Sequence, residues 1–404
     1  RGKRENHERR LLLFIAVYAG TNHRSVARYN PSPPSLTHAV NRLTSPALFR
    51  EIFKMEYEVF VIFTKWMCFD HIEERTYESS FLKWLKVRRS TSMDVKTCLA
   101  CGVLYLCGQG TLKEKAAILG MPRSTFEAAA WRVVEELFRR TKEVIMIPPQ
   151  NKQVFMRCRN TGMPFPGALF ALDGTHVRLA VKGRRNDFYG HKGYASLNVQ
   201  VMCDWQMNLV NVESNFTGRT HDSDVYRMSS FATSLRQGNN PLQPGGFIIA
   251  DEGYACDNHV MRPFNGRRAG AKEKLFNRFF KSARLVVENA IGAWKQMCPL
   301  LDMGMHRMNP EKLAVAVQAS AVLYQFCKKA KERVMRVQPS AYLKQTFIIP
   351  DSFVGKSTEL IRKELADMFA RKYPKALRAI ELRSDLPPGF DMGCSLVCLN
   401  ETRC

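Results

Sequence analysis

The sequence predicts an α/β core, a mixed sheet flanked by helices, preceded by an all-helical region. Three observations carry this. Two short apolar runs, Leu169-Phe170-Ala171-Leu172 and Phe247-Ile248-Ile249-Ala250, suit strands buried on both faces, and each ends on an aspartate, Asp173 and Asp251. The segment Ser282–Lys295 has helical periodicity, with Val287, Ile291, Trp294 and Cys298 on one apolar stripe. Residues 36–150 read mostly as helices.

From the N-terminus, Arg1–Arg10 is basic and Leu11–Gly20 apolar, an outline shared with secretory signals. The basic, cysteine-scattered remainder of the chain favours a first helix of a helical region instead. Asn30-Pro31-Ser32-Pro33-Pro34-Ser35 is linker-like and separates a basic, partly flexible segment, 1–35, from the folded body.

Within 36–150, Met93–Gln109 reads as an apolar helix. Thr111–Gly120 and a helix opening at Met121-Pro122-Arg123-Ser124-Thr125 and running through Phe138 follow it. Helix, glycine-containing turn and second helix outline a helix-turn-helix over about 93–140. Ser124 is the expected cap, and Arg123, Ser124, Thr125 and Arg132 are the candidate DNA contacts. An ordinary helical hairpin is the competing reading, and Ala128-Ala129-Ala130-Trp131 suits packing better than groove readout. Pro148-Pro149 ends the region.

The core is expected over 164–335, and residues 336–404 form an extension of unknown role. After the Asp173 strand come Lys182, Arg184, Arg185 and Lys192, then strands Ala195–Cys203 and Leu209–Glu213 joined by a turn. Asp204 belongs to that turn for its geometry. An aspartate ending an apolar strand must be compensated by a cation, a donor or water. Two of them on adjacent strands repel unless a cation lies between, and carboxylate oxygens are what Mg²⁺ prefers. Glu288 lies on the stripe of Lys281, Arg284 and Lys295. It reads either as a metal ligand among phosphate-binding bases or as a surface partner of Arg284 four residues back. Between Asp251 and Glu288 the chain becomes strongly basic: from residue 262 to 284, Arg262, Arg267, Arg268, Lys272, Lys274, Arg278, Lys281 and Arg284 face Glu273 alone. This reads as a track for a DNA backbone, with Phe276, Phe279 and Phe280 packed inward. A helix over 310–333 closes the core. Its Lys328-Lys329-Ala330-Lys331-Glu332-Arg333 cluster resembles a nuclear import signal.

A formal charge of +24 over 404 residues favours a polyanionic partner, nucleic acid first. The 12 cysteines are scattered and suit a reducing compartment. Cys98 and Cys101 are expected in the core, and Cys394, Cys398 and Cys404 make no convincing metal site. No apolar run is long enough to span a membrane, and no membrane partner is expected.

Several pieces resemble the catalytic domain of Harbinger-type (PIF/Harbinger) transposases, a DDE family with an RNase H-like fold, and they appear in that family's order. They are Ala171-Leu172-Asp173-Gly174-Thr175-His176; Tyr189–Gln200; Gly218-Arg219-Thr220-His221-Asp222-Ser223; Ala250-Asp251-Glu252-Gly253-Tyr254; and Phe276-Asn277-Arg278 leading to Arg284-Leu285-Val286-Val287-Glu288. The resemblance implies Asp173, Asp251 and Glu288 as catalytic triad, Asp222 as a further metal-site carboxylate, and two Mg²⁺ (or Mn²⁺) ions. His176 and His221 would orient neighbouring groups or phosphate. Glu252 stands where a small residue is more usual and Asn289 where a charged one is common; neither removes a ligand. The resemblance further implies a DNA substrate, strand cutting and joining, a Myb-like DNA-binding partner protein, homo-oligomers on DNA, and a nuclear location. A host-domesticated, DNA- or chromatin-binding derivative is the alternative, and a nuclease that cuts without joining is another.

Overall fold

The computed structural model describes residues 46–72, 75–87, 93–158, 162–180, 186–190, 192–302, 308–334 and 349–384. The expectations for segment 1–35 and for Cys394, Cys398 and Cys404 lie outside them.

The helical region begins with α1 (Pro46–Phe53) and α2 (Tyr57–Cys68). A short antiparallel pair, β1 (Phe69–Ile72) and β2 (Arg75–Glu78), follows, then α3 (Ser80–Val87), α4 (Val95–Cys107), α5 (Leu112–Ile118), α6 (Arg123–Arg139) and α7 (Thr141–Val144). Asp94 starts α4 by accepting from the Thr97 amide at 2.6 Å. Thr111 and Glu114 cap α5 reciprocally, at 3.3 and 2.7 Å. A capping role for Ser124 is not found: Pro122 occupies the N-cap of α6, and no side chain caps it. A proline fixes the entry geometry without a side-chain acceptor.

Phe126, Ala130, Val133, Val134 and Leu137 bury the inner face of α6 against α4 and the later helix Pro310–Val334. Contact with α4 is intimate at Gly102, where a Cβ would lie 2.3 Å from Val133 Cγ1. Cys98 and Cys101 are fully buried, and burial pushes the Cys98 thiol up to about 12, as suits core cysteines.

The core sheet contains β3 (Ala168–Arg178), β4 (Ser196–Cys203), β5 (Leu209–Thr217), β6 (Phe247–Ile249) and β7 (Val260–Met261), in the order β5-β4-β3-β6-β7. The first three strands form an antiparallel meander; β6 and β7 run parallel to β3. The β4–β5 turn is built on Asp204, whose Oδ1 accepts from the amides of Gln206 and Asn208 at 2.9 Å each. Between β5 and β6 lie α8 (Asp222–Met228) and α9 (Ser230–Arg236).

After the sheet come α10 (Ala271–Met297), α11 (Pro310–Val334), α12 (Thr358–Lys372) and α13 (Pro374–Ser384). Three boundaries differ from the sequence reading. The second strand stops at Ile249, because Asp251 turns the chain with its own carboxylate, accepting from the Gly253 amide at 2.9 Å. Strand β5 runs on to Thr217, because Asn198 and Leu197 keep pairing with Phe216 and Thr217 past a bulge. The helix carrying Glu288 starts at Ala271 rather than Ser282, where Glu273 accepts from the Gly270 amide at 3.0 Å. Beneath its basic residues lies a buried apolar face of Leu275, Phe276, Phe279, Phe280 and Ala283, the three phenylalanines packed inward as expected.

Residues of the C-terminal extension complete the core: Phe369 of α12 meets Phe165, Phe276 and Phe279 with centroids 5.4, 6.2 and 4.8 Å apart. One continuous apolar cluster runs from Phe49 to Ile380. Among the described residues, no helix is long and apolar enough to cross a membrane.

Candidate active site

Parallel pairing of β3 with β6 puts Ala171 beside Ile249, so the two aspartates that follow, Asp173 and Asp251, emerge at the same end of the sheet. Asp222 opens α8 just beyond β5. Glu288 is delivered by α10, which packs across β3 and β4 through its Phe280, Ala283, Val287 and Ala290 stripe. Four acids distant in sequence thus gather at one edge of the core.

Each aspartate is held in place. Asp173 Oδ1 accepts from the Gly174 amide at 2.9 Å. Asp222 Oδ1 accepts from Asn198 Nδ2 at 2.7 Å, while the same amide group donates to the Thr220 carbonyl at 2.9 Å. Gly174 leaves the room this requires: a Cβ there would sit 2.7 Å from Asp222 Oδ1. A Cβ on Gly253 would be 3.2 Å from Asp251 Oδ1 and 3.8 Å from Asp222 Oδ2, which places Asp222 and Asp251 side by side.

The cation among them is Arg284. Its Nη1 donates to Asp173 Oδ2 at 2.9 Å, and its Nη2 donates to Glu288 Oε1. The Arg284 and Asp173 side chains are 16% and 18% exposed, so the Asp173 end of the bridge is largely desolvated, while Glu288 is 42% exposed. Glu288 therefore does pair with Arg284, the plainer of its two sequence readings, but in a pair that also reaches Asp173. Arg284 was expected to meet DNA; here its guanidinium is engaged by carboxylates.

One guanidinium does not balance four acids. Burial pushes the Asp173 carboxyl up from 3.8 to about 6, against the pull of Arg284 and with help from Asp251. Asp251 is raised as well, by burial first and then by the negative charges of Asp222 and Glu252. The Tyr254 phenol, fully buried beside Asp222, Asp173 and Asp251, is raised far above its ordinary value, burial again being the main cause. Two buried polar atoms here have no hydrogen-bond partner: Tyr254 Oη and Asn198 Oδ1. Excess negative charge, an all-oxygen donor set and an orphaned amide oxygen fit a hard divalent cation. The donors are not yet converged on a point: among the described residues, no trio of Asp, Glu, His or Cys is arranged to hold a metal.

The histidines flank the acids. His176 Nδ1 lies 2.9 Å from Ser196 Oγ, and exposed His221 occupies the N-cap position of α8. Of the expected DNA contacts, Arg267, Arg268, Lys272, Lys274, Arg278 and Lys281 are exposed, and Lys192 is exposed on the loop before β4. Lys274, Lys281 and Glu288 recur at seven-residue spacing, so this basic face of α10 leads to the acids. Lys272 is paired with Asp367 at 2.8 Å and Lys295 with Asp302 at 2.9 Å. Lys182, Arg184 and Arg185 lie outside the described residues. Arg123 and Ser124 are exposed at the start of α6, Thr125 is half-buried, and Arg132 pairs with Glu135 at 2.8 Å. In the 328–333 cluster, Lys328 is tied to the Gln206 carbonyl at 2.7 Å and Lys329 to the Val144 carbonyl at 3.2 Å.

Sequence reasoning missed Asn198, Tyr254 and the counter-ion role of Arg284. The available signal for Asn198 was a polar side chain inside the apolar strand Leu197–Val201.

Residues 172–325 match the family described as DDE superfamily endonuclease. The chain is 22% identical over 241 residues to "Putative nuclease HARBI1" of Homo sapiens, and 23% identical over the same length to the protein of that name in Rattus norvegicus. Each alignment covers 58% of this chain and 67% of the relative. No solved structure matches the chain.

Proposed function

We propose, for a chain whose residues 172–325 form a DDE superfamily endonuclease domain of the Harbinger-derived kind, that it cuts and joins DNA at the Asp173–Asp251–Glu288 site. The observation that carries this reading is the gathering of Asp173, Asp222, Asp251 and Glu288 at one end of a mixed sheet beside an exposed basic helix face. The strand order is consistent with the RNase H-like fold expected of the family.

Asp173, Asp251 and Glu288, with Asp222, would hold the divalent metal, Mg²⁺ or Mn²⁺. Bound there, it supplies activation of an attacking oxygen and neutralisation of charge on the leaving 3′-oxygen. The chain's own residues do the rest. The Gly174 and Gly253 amides fix the rotamers of Asp173 and Asp251. Asn198 fixes Asp222 through a hydrogen bond that leaves Asp222 Oδ2 free toward Asp251. Lys274, Arg278 and Lys281 draw the phosphate backbone along α10 toward Glu288, and Arg267 and Arg268 extend the track at its start. The turn between α5 and α6, with exposed Arg123 and Ser124, offers a second, smaller DNA-facing surface of helix-turn-helix type. A Myb-like partner, a homo-oligomer on DNA and a nuclear site of action belong to the same reading.

The test compares wild type with Asp251→Asn on the element's terminal DNA, with Mg²⁺ or EDTA, and with a Myb-like partner present or absent. Metal-dependent cutting and joining, lost in Asp251→Asn while DNA binding persists, is the expected result. Binding without cutting under every condition would favour a domesticated DNA- or chromatin-binding protein instead.

A further inference from the structure

The guanidinium of Arg284 bridges Asp173 and Glu288, two acids that the reading above assigns to the metal ion. A carboxylate oxygen that accepts from a guanidinium is competed for by that cation when a metal ion enters the same site. Asp173 keeps Oδ1 on the Gly174 amide and gives Oδ2 to Arg284, so both its oxygens are engaged within the protein. Glu288 differs: it is 42% exposed and on a flexible stem, and its recorded partner is Arg284. The bridge is therefore strong at its buried end and easily opened at the Glu288 end.

We propose that Arg284 is a positioning residue that acts as a built-in counter-ion. In the metal-free chain it occupies the carboxylate site, and it exchanges places with a divalent cation, releasing Glu288 to ligate and freeing its own donors. This inference rests on the metal-ion reading of the site. Several acids converge at one end of the sheet, Arg284 is wedged among them, and among the described residues no trio of Asp, Glu, His or Cys is arranged to hold a metal. Arginine suits the role because its planar fork spans two carboxylates at once, which a lysine ammonium does as a point charge only. Once displaced, the guanidinium lies beside the basic face of α10, where its forked donors match a phosphate. One side chain thus covers the site when it is empty and faces the backbone of DNA when it is filled.

The experiment measures binding of Mn²⁺ alone to the full chain, by electron paramagnetic resonance of free Mn²⁺ and by the melting temperature with and without the ion. Wild type, Arg284→Gln, Arg284→Lys and Asp173→Asn are compared. Displacement of a competing cation predicts Mn²⁺ binding at least about tenfold tighter in Arg284→Gln than in wild type. It also predicts an intermediate value in Arg284→Lys and a larger Mn²⁺-induced rise in melting temperature in Arg284→Gln. Equal or weaker binding by a folded Arg284→Gln overturns the proposal and leaves the metal reading standing if Asp173→Asn abolishes binding. Should Arg284→Gln not fold, Arg284→Lys decides: an affinity equal to wild type overturns the proposal. Mn²⁺ binding by neither wild type nor any Arg284 variant overturns the metal reading and this inference together.

Discussion

Replacing Asp173 by asparagine is expected to stabilise the metal-free chain while destroying its chemistry. Burial raises the Asp173 carboxyl from 3.8 to about 6, even with Arg284 alongside. The folded state therefore holds its proton more tightly than the unfolded state does. Stability contributed by this group is greatest at low pH, falls as pH rises between 3.8 and about 6, and stays at its lowest above that. At about 1.4 kcal/mol per tenfold change, keeping Asp173 ionised at pH 7.5 costs the fold about 3 kcal/mol, falling to about 0.5 kcal/mol at pH 4. Asparagine has nearly the same shape and carries no charge; its one oxygen can accept from Arg284 Nη1, and the hydrogen bond from the Gly174 amide is given up, which offsets part of the gain. Denaturant unfolding in EDTA should show Asp173→Asn more stable than wild type by up to about 3 kcal/mol at pH 7.5, with most of the difference gone at pH 4. A variant less stable than wild type at pH 7.5, or a difference independent of pH, would refute the claim that this site stores electrostatic cost for a cation.

Other substitutions probe other parts of the account. Gly174→Ala should push Asp222 off its Asn198 hydrogen bond, since the new Cβ would fall 2.7 Å from Asp222 Oδ1. Loss of DNA cleavage of roughly tenfold or more with little change in DNA binding is expected, read by a nicking assay beside a binding assay. Lys274→Ala with Lys281→Ala should weaken DNA binding and flatten the dependence of log affinity on log salt by about 2, measured by titration at several salt concentrations. Glu136→Gln should destabilise the helical region by about 3 kcal/mol, because Arg140, 1% exposed, would lose its best-buried carboxylate partner. Calorimetry checks this.

How much of this was readable in the sequence depends on what each residue's signal refers to. Strand β3 was legible because a short, unbroken apolar run suits a strand buried on both faces, and the aspartate ending it demanded an explanation. Strand β6 was legible as far as Ile249; beyond it the apolar run and the turn share residues, and only the Asp251–Gly253 hydrogen bond separates them. The start of α10 was obscured because six of its first fourteen residues, Ala271 to Arg284, are charged; charge reads as surface track while the Leu275–Phe280 face underneath is core. Phe276, Phe279 and Phe280 were expected to pack inward, and they do. The role of residues 349–384 was not legible at all, since Phe369 has meaning only through Phe165, Phe276 and Phe279, distant in sequence. The same limit hid the site's counter-ion. Spacing relates Arg284 to Glu288, one helical turn away, but only the fold brings Asp173 under the same guanidinium.

The central claim is that these carboxylates make the chain a metal-dependent DNA-cutting enzyme. Cleavage of end-labelled duplex DNA by wild type, Asp251→Asn and Glu288→Gln, each with Mg²⁺, Mn²⁺ or EDTA, tests it most directly. Wild type should cut with either ion and not in EDTA, and neither variant should cut at unchanged DNA affinity. Cutting that survives EDTA, or that Asp251→Asn and Glu288→Gln retain at the wild-type rate, would contradict it.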